Sequence, residues 1–176
     1  MEKHQEKQRE YLKRLERFFS EDPDIEQVSL FTMEELDAPM DMLRAIVTDY
    51  GAGLTDVLAE FSFIPFPGPQ EVWYFSSTLT IKEDISKYGV SALSGAVARL
   101  NFYLPYGCFA VNPEGNMLIY KAVTAIRSDH DEEKIYEDIE LSADTALLIP
   151  ESYTDLLVKV AEGTLLLQDF IDSLPK

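Results

Sequence analysis

Residues 90–126 read VSALSGAVARLNFYLPYGCFAVNPEGNMLIYKAVTAI. Val90, Leu93, Val97, Leu100 and Leu104 recur at helical spacing, so an amphipathic helix is expected over about 88–104. Pro105 and Gly107 stop it. Residues 107–112 and 116–126 then read as two strands joined by Pro113-Glu114-Gly115. Proline presets the first turn position, and glycine takes the left-handed position that closes a three-residue loop.

Working toward the N-terminus, residues 72–82 alternate cleanly. Trp73, Phe75, Leu79 and Ile81 point one way; Tyr74, Ser76, Thr78 and Thr80 point the other. One face then lies on a core and the other is wet. Residues 56–66 and 43–50 read as two further strands, with Gly51 and Gly53 in the turn between them. The loop PFPGPQE, residues 65–71, turns the chain back. Residues 28–32 suggest a short strand, and residues 21–42 otherwise carry no decisive pattern. Over about 3–20, Tyr11, Leu12, Leu15, Phe18 and Phe19 gather on one side of a helix. Toward the C-terminus, residues 131–173 are helical. Pro150 predicts a kink or a fresh start, Gly163 a terminator, and Thr164 the cap of a short last helix.

The order is α-β-β-β-α-β-β-α. Helices are too sparse for parallel crossovers. The economical fold is α+β: one two-layer domain over 1–176, with an antiparallel sheet of about five strands and its helices on one face.

Composition narrows the function. With 46% apolar residues the chain can fold without a staple, and its single cysteine, Cys108, allows no intrachain disulfide. The N-terminal segment MEKHQEKQRE lacks the apolar run of a signal peptide, and no stretch is long enough to span a bilayer, so a cytoplasmic location is expected. The net charge is −17; residues 1–19 are mildly basic at +2, which leaves −19 for the rest. Such a body repels phosphate, so neither nucleic acid nor anionic membrane is an expected partner. The basic first helix is placed to lie against an acidic surface, its own or a second copy's.

Leu100-Asn101-Phe102-Tyr103, Gly107-Cys108-Phe109, Asn112 through Gly115, and Val160-Ala161-Glu162-Gly163, together with the order of elements over about 1–165, resemble the YbjN family. Its members are bacterial proteins described as sensory-transduction regulators with a type III secretion chaperone-like fold. The resemblance implies a single domain of that fold, acting as a cytoplasmic protein-binding module able to dimerise. It brings no catalytic motif.

The residues themselves bring none either. His4 and His130 have no partner at ligand spacing. Asp129-His130-Asp131 lacks the spaced oxygens and the glycine of a calcium loop, and as a helix start it complements the helix dipole. Cys108 has no base nearby in sequence and reads as a small buried apolar side chain. Gly89 and Gly95 form no phosphate loop, and SALSG (91–95) is no nucleophile elbow. We therefore assign no catalytic, cofactor-binding or metal-binding residue. Phe66, Tyr74, Ser76, Thr78 and Thr80 are the candidate partner-binding residues, from an aromatic loop and a polar sheet face. Trp73 is read as core. The leading expectation is a non-enzymatic protein-binding module, chaperone-like or regulatory, whose partner is another protein or a second copy. The competing one is a small-molecule binding protein or enzyme with a pocket between helices and sheet.

Overall fold

In the computed structural model of this chain, six antiparallel strands form one sheet in the order β1-β2-β3-β4-β6-β5. The structure describes residues 2–53, 55–69, 71–112 and 114–174, with Glu2 and Lys3 as backbone alone. Pro113 of the expected hairpin turn and Gln70 of the proline-rich loop lie outside the described residues. So do residues 1, 54, 175 and 176.

Helix α1 (Glu2–Ser20) buries Tyr11, Leu12, Leu15 and Phe19. Phe18 lies at the border of that stripe and stays exposed. Strand β1 (Ile25–Phe31) starts earlier than its sequence suggests. At Gln27 the backbone turns to φ 51°, and the pairing with β2 slips between Glu26 and Ser29. This bulge breaks the period-two pattern and so hides the first residues of the strand, whose later part is the one suggested at 28–32. The sheet consequently has six strands rather than about five.

A four-residue helix, α2 (Met33–Leu36), follows. The meander β2 (Met42–Tyr50), β3 (Thr55–Ile64) and β4 (Val72–Lys82) comes next. Helix α3 (Lys87–Leu100) is capped by Ser86, which accepts from the Gly89 N–H. It ends earlier than the spacing predicts, because Asn101 to Tyr103 form a turn. Asn101 then holds the next strand by a reciprocal pair of bonds with the Phe109 backbone, 2.8 and 2.9 Å. Helix α3 carries the chain to the far edge, where β5 (Cys108–Asn112) begins. Strand β6 (Met117–Arg127) returns between β5 and β4. In the turn, the Asn112 carboxamide oxygen accepts from the Glu114 and Gly115 N–H groups.

Helix α4 (Glu132–Glu162) is one element of 31 residues with Pro150 inside it, neither ended nor restarted there. Pro150 is buried, and the Thr154 hydroxyl donates to its carbonyl at 3.0 Å. Asp131 caps the helix by accepting from the Lys134 N–H, and Glu132 and Glu133 occupy the first turn, so the acidic run serves the helix start as expected. Gly163, at φ 73°, ends it, and α5 (Leu167–Ser173) closes the chain. Leu166, not Thr164, precedes that last helix, without a side-chain cap.

All three long helices lie on one face. Helix α1 covers β1 to β3, α4 covers β4 and β6, and α3 packs on β5 and α4. Gly89 is required at the α3–α4 crossing, since a Cβ there would stand 2.2 Å from the Ala161 carbonyl oxygen. Beneath the helices the inner face is an aromatic chain: Phe19 to Phe61 at 5.1 Å, then Phe61 and Phe63 to Phe75 at 6.2 and 5.3 Å. Trp73, Phe75, Leu79 and Ile81 are all buried, as their phase predicts.

Candidate protein-binding face

Among the described residues no helix packs on the opposite face of the sheet. Strand register arranges its side chains in rows. One row runs Phe31, Met42, Ser62, Ser76, Val123. The next runs Ser29, Arg44, Glu60, Thr78, Lys121, Cys108. The third runs Glu26, Ile46, Leu58, Thr80, Ile119, Ala110, with the Glu26 carboxylate at its exposed β1 end. A shorter row holds Ile64, Tyr74 and Ala125. The four candidates on β4 thus sit one per row, in the middle of the sheet. Phe66 joins them from the β3–β4 loop, 62% exposed, with its ring edge-on to Tyr74 at 5.2 Å.

The five are not equal. Ser76 is buried between longer neighbours and offers a partner little. Tyr74, Thr78 and Thr80 are half-buried. The apolar side chains of these rows, Met42, Ile46, Leu58, Ile119 and Val123, supply what sequence reasoning missed. Each is isolated in its own strand, and only register brings them together. Val123 is the most open, at 43%.

Charge separates this face from the rest of the chain. In its middle, Arg44 donates to Glu60 at 2.8 Å and lies over the Phe31 ring at 5.3 Å. Lys121 is the third charge there. Helix α4 on the other side carries nine acidic side chains against two lysines. The basic residues of α1 are used within the chain: Arg14 pairs with Glu133 at 2.7 Å and stacks on Tyr136 at 3.8 Å, and Lys7 reaches Glu132 at 3.4 Å. The acidic surface that α1 was expected to seek is the start of its own chain's α4.

Cys108 is exposed, which corrects the expectation of a buried side chain. It opens the five-residue edge strand β5 on the outward phase, opposite Lys121, while Phe109 takes the inward position. The polar cluster beneath the helices is made of hydroxyls. Tyr106, Thr124 and Ser142 close a triangle with sides of 2.6, 2.8 and 2.6 Å, and Tyr120 donates to the Tyr106 carbonyl. Three hydroxyls can satisfy one another in a ring, which fixes the α3–β5 loop against β6 and α4. Asp144 is the one carboxyl raised above its ordinary range among the described residues. Desolvation is the main cause, with Glu140 and Asp22 adding repulsion. It lies on the solvent side of α4, away from the hydroxyl triangle. Among the described residues no three His, Cys, Asp or Glu side chains gather where they could hold a metal ion. No described helix is long and apolar enough to cross a membrane. No protein-family model and no curated protein matches this chain.

Proposed function

We propose that this chain is a non-enzymatic protein-binding module, chaperone-like or regulatory, that engages protein through the helix-free face of its sheet, in the first instance a second copy of itself. The carrying observation is the composition of that face: aliphatic and hydroxyl side chains in register, nearly neutral, on an otherwise acidic molecule. A face meant only for solvent would carry long charged side chains, as the outside of α4 does. A second copy brings the same neutral face, so two highly charged bodies can meet there without opposing like charges. The ion pairs of α1 with its own α4 weigh against the competing helix-mediated route. The YbjN-like segments point the same way, toward a cytoplasmic bacterial module of the type III secretion chaperone-like kind.

Size sets the expected strength. Six strands spaced by about 4.8 Å, from 5 to 11 residues long and about nine on average at 3.3 Å each, make a face of roughly 700 Å². A standard interface takes about 800 Å² from each partner, so moderate affinity is expected.

Sedimentation velocity tests this reading. The native chain should show a monomer–dimer equilibrium at micromolar concentration, and maleimide labelling of Cys108 should slow as concentration rises. Val123→Glu should restore the monomer while leaving thermal melting unchanged, because Val123 is exposed. A native chain that stays monomeric with a constant labelling rate overturns the reading. So does a dimer indifferent to Val123→Glu.

A further inference from the structure

A cleft of about 460 Å³ opens where the first turns of α1 pass the end of the sheet. Its floor is Leu12, Phe63 and Trp73, and its walls are Met33, Met40 and Phe66. The walls come from three separate segments: the α2 helix, the stretch leading into β2, and the β3–β4 loop. The volume falls within the range of small-ligand sites, and the cleft shares its exposed surface almost evenly between apolar and polar atoms.

The aromatic geometry suits a flat guest. Trp73 already holds Phe63 and His4 edge-on, at 5.7 and 5.9 Å. Phe66, edge-on to Tyr74, is solvent-exposed at the mouth and can meet a ring laid beside it. The charge pattern selects against ions. Of the chain's 32 acidic residues only Asp41 reaches the described lining, and it is fully engaged. Arg9 donates to it twice, at 2.7 and 3.0 Å, and the Met33 N–H once, at 2.8 Å. The other titratable side chain of the described lining is His4, packed edge-on to Trp73, so a charged guest would lose its water with no fixed counter-charge to replace it. Gln5 and Gln8 also line the cleft, and their amides make no hydrogen bond to another described residue. They can meet one neutral donor or acceptor on a ligand.

We propose that this cleft binds an uncharged aromatic small molecule of two or three rings bearing a single neutral hydrogen-bonding group. The cleft borders the outer sheet face and shares Ile64 and Phe66 with it, whereas Met40 belongs to the cleft alone. Trp73 is the chain's only tryptophan and forms part of the floor, so the site carries its own reporter.

The probe is N-phenyl-1-naphthylamine, which is uncharged. It should quench Trp73 emission saturably, at one per chain, with energy transfer to the dye. Phe66→Ala and Met40→Glu should each weaken binding about tenfold, the loss expected when a well-placed aromatic contact is removed or a charge is set in an apolar wall. Circular dichroism melting confirms that both variants are folded. The anionic relative 8-anilinonaphthalene-1-sulfonate should bind more weakly than the neutral dye. Val123→Glu, on the other face, should leave the affinity unchanged. Non-saturable quenching overturns the proposal, as does equal affinity of the sulfonate, or binding lost in Val123→Glu and retained in both cleft variants. Phe66→Ala touches both surfaces, so Met40→Glu is the variant that separates them: it should weaken dye binding and keep the dimer, which sedimentation reads.

Discussion

On β4 the inner face takes Trp73, Phe75, Ser77, Leu79 and Ile81, all buried, and the outer face takes Tyr74, Ser76, Thr78 and Thr80. One residue of offset separates two surfaces with opposite rules. The inner face is filled by volume: aromatic rings against aliphatic helix residues, with water excluded. The outer face is level and hydroxyl-rich, with its apolar atoms spread across strands. The inner face can be recognised from one strand, because each strand must supply apolar side chains at period two to bury a core. The outer face cannot, because its character arises only from what the neighbouring strands place beside each residue.

The sharpest way to break this contrast is to truncate adjacent residues. Phe75 is fully buried and touches two other rings, so Phe75→Ala should cost about 3–5 kcal/mol, the range for emptying a large aromatic site. Trp73→Ala belongs in the same range. Tyr74→Ala, one residue away and half-exposed, should cost about 1 kcal/mol or less. Urea unfolding measures all three. Equal losses at 74 and 75 would mean that something covers the outer face in solution, which the dimer reading predicts only at concentrations where the dimer forms.

Much of this was legible from single elements. The alternation over 72–82 placed Trp73, Phe75, Leu79 and Ile81 correctly and left Ser77 unassigned, and helix spacing found the buried stripe of α1 apart from Phe18. What was missed depends on pairing rather than on local pattern. Cys108 reads as buried because free cysteine usually is, yet its phase is set by pairing with Lys121 on a five-residue edge strand. The strand suggested at 28–32 is β1, but its start at Ile25 is masked by the bulge at Gln27. Helix α2 did leave a signal: Thr32 and Glu35 form a capping box, with the Thr32 N–H donating to Glu35 at 2.8 Å and the Glu35 N–H to the Thr32 hydroxyl at 3.3 Å. The cleft left none, since Met33, Met40, Phe63, Phe66 and Trp73 share no period and meet only through tertiary folding.

The inner face also holds two phenols whose titration sharpens the comparison. Tyr50 donates to the Leu147 carbonyl and Tyr120 to the Tyr106 carbonyl at 2.6 Å. Burial pushes both well above the usual range, with Glu151 adding repulsion at Tyr50 and Tyr106 at Tyr120. A folded pKa above the unfolded one means stabilisation that is complete below about pH 10 and is lost as pH rises past it, when only the unfolded chain can ionise. At pH 7, Tyr50→Phe and Tyr120→Phe should each cost about 1 kcal/mol, the net value of one hydrogen bond. Between about pH 9 and 11 the double variant should lose less stability than the native chain. A native chain of constant stability across that range would show that the phenols reach solvent.

The smallest effect has the opposite sign. Ser77 is 1% exposed on the inner face, opposite Phe61 and Ala122, and its hydroxyl has no hydrogen-bond partner among the described residues. A buried hydroxyl without a partner gives up its bonds to water and gains nothing in return, a cost of about 1–3 kcal/mol. Ser77→Ala removes that cost and leaves a void of less than one methyl group. Alanine is a slightly poorer strand former, which offsets part of the gain. The net expectation is a stabilisation of about 0.5–1 kcal/mol, read as a higher urea midpoint at unchanged slope. Ser76→Ala, on the outer phase, should change stability by less than about 0.5 kcal/mol. If Ser77→Ala instead destabilises by as much as an ordinary lost hydrogen bond, the hydroxyl has a backbone partner in solution. The inner face would then tolerate polarity wherever geometry satisfies it, as the triangle of Tyr106, Thr124 and Ser142 already does beneath α4.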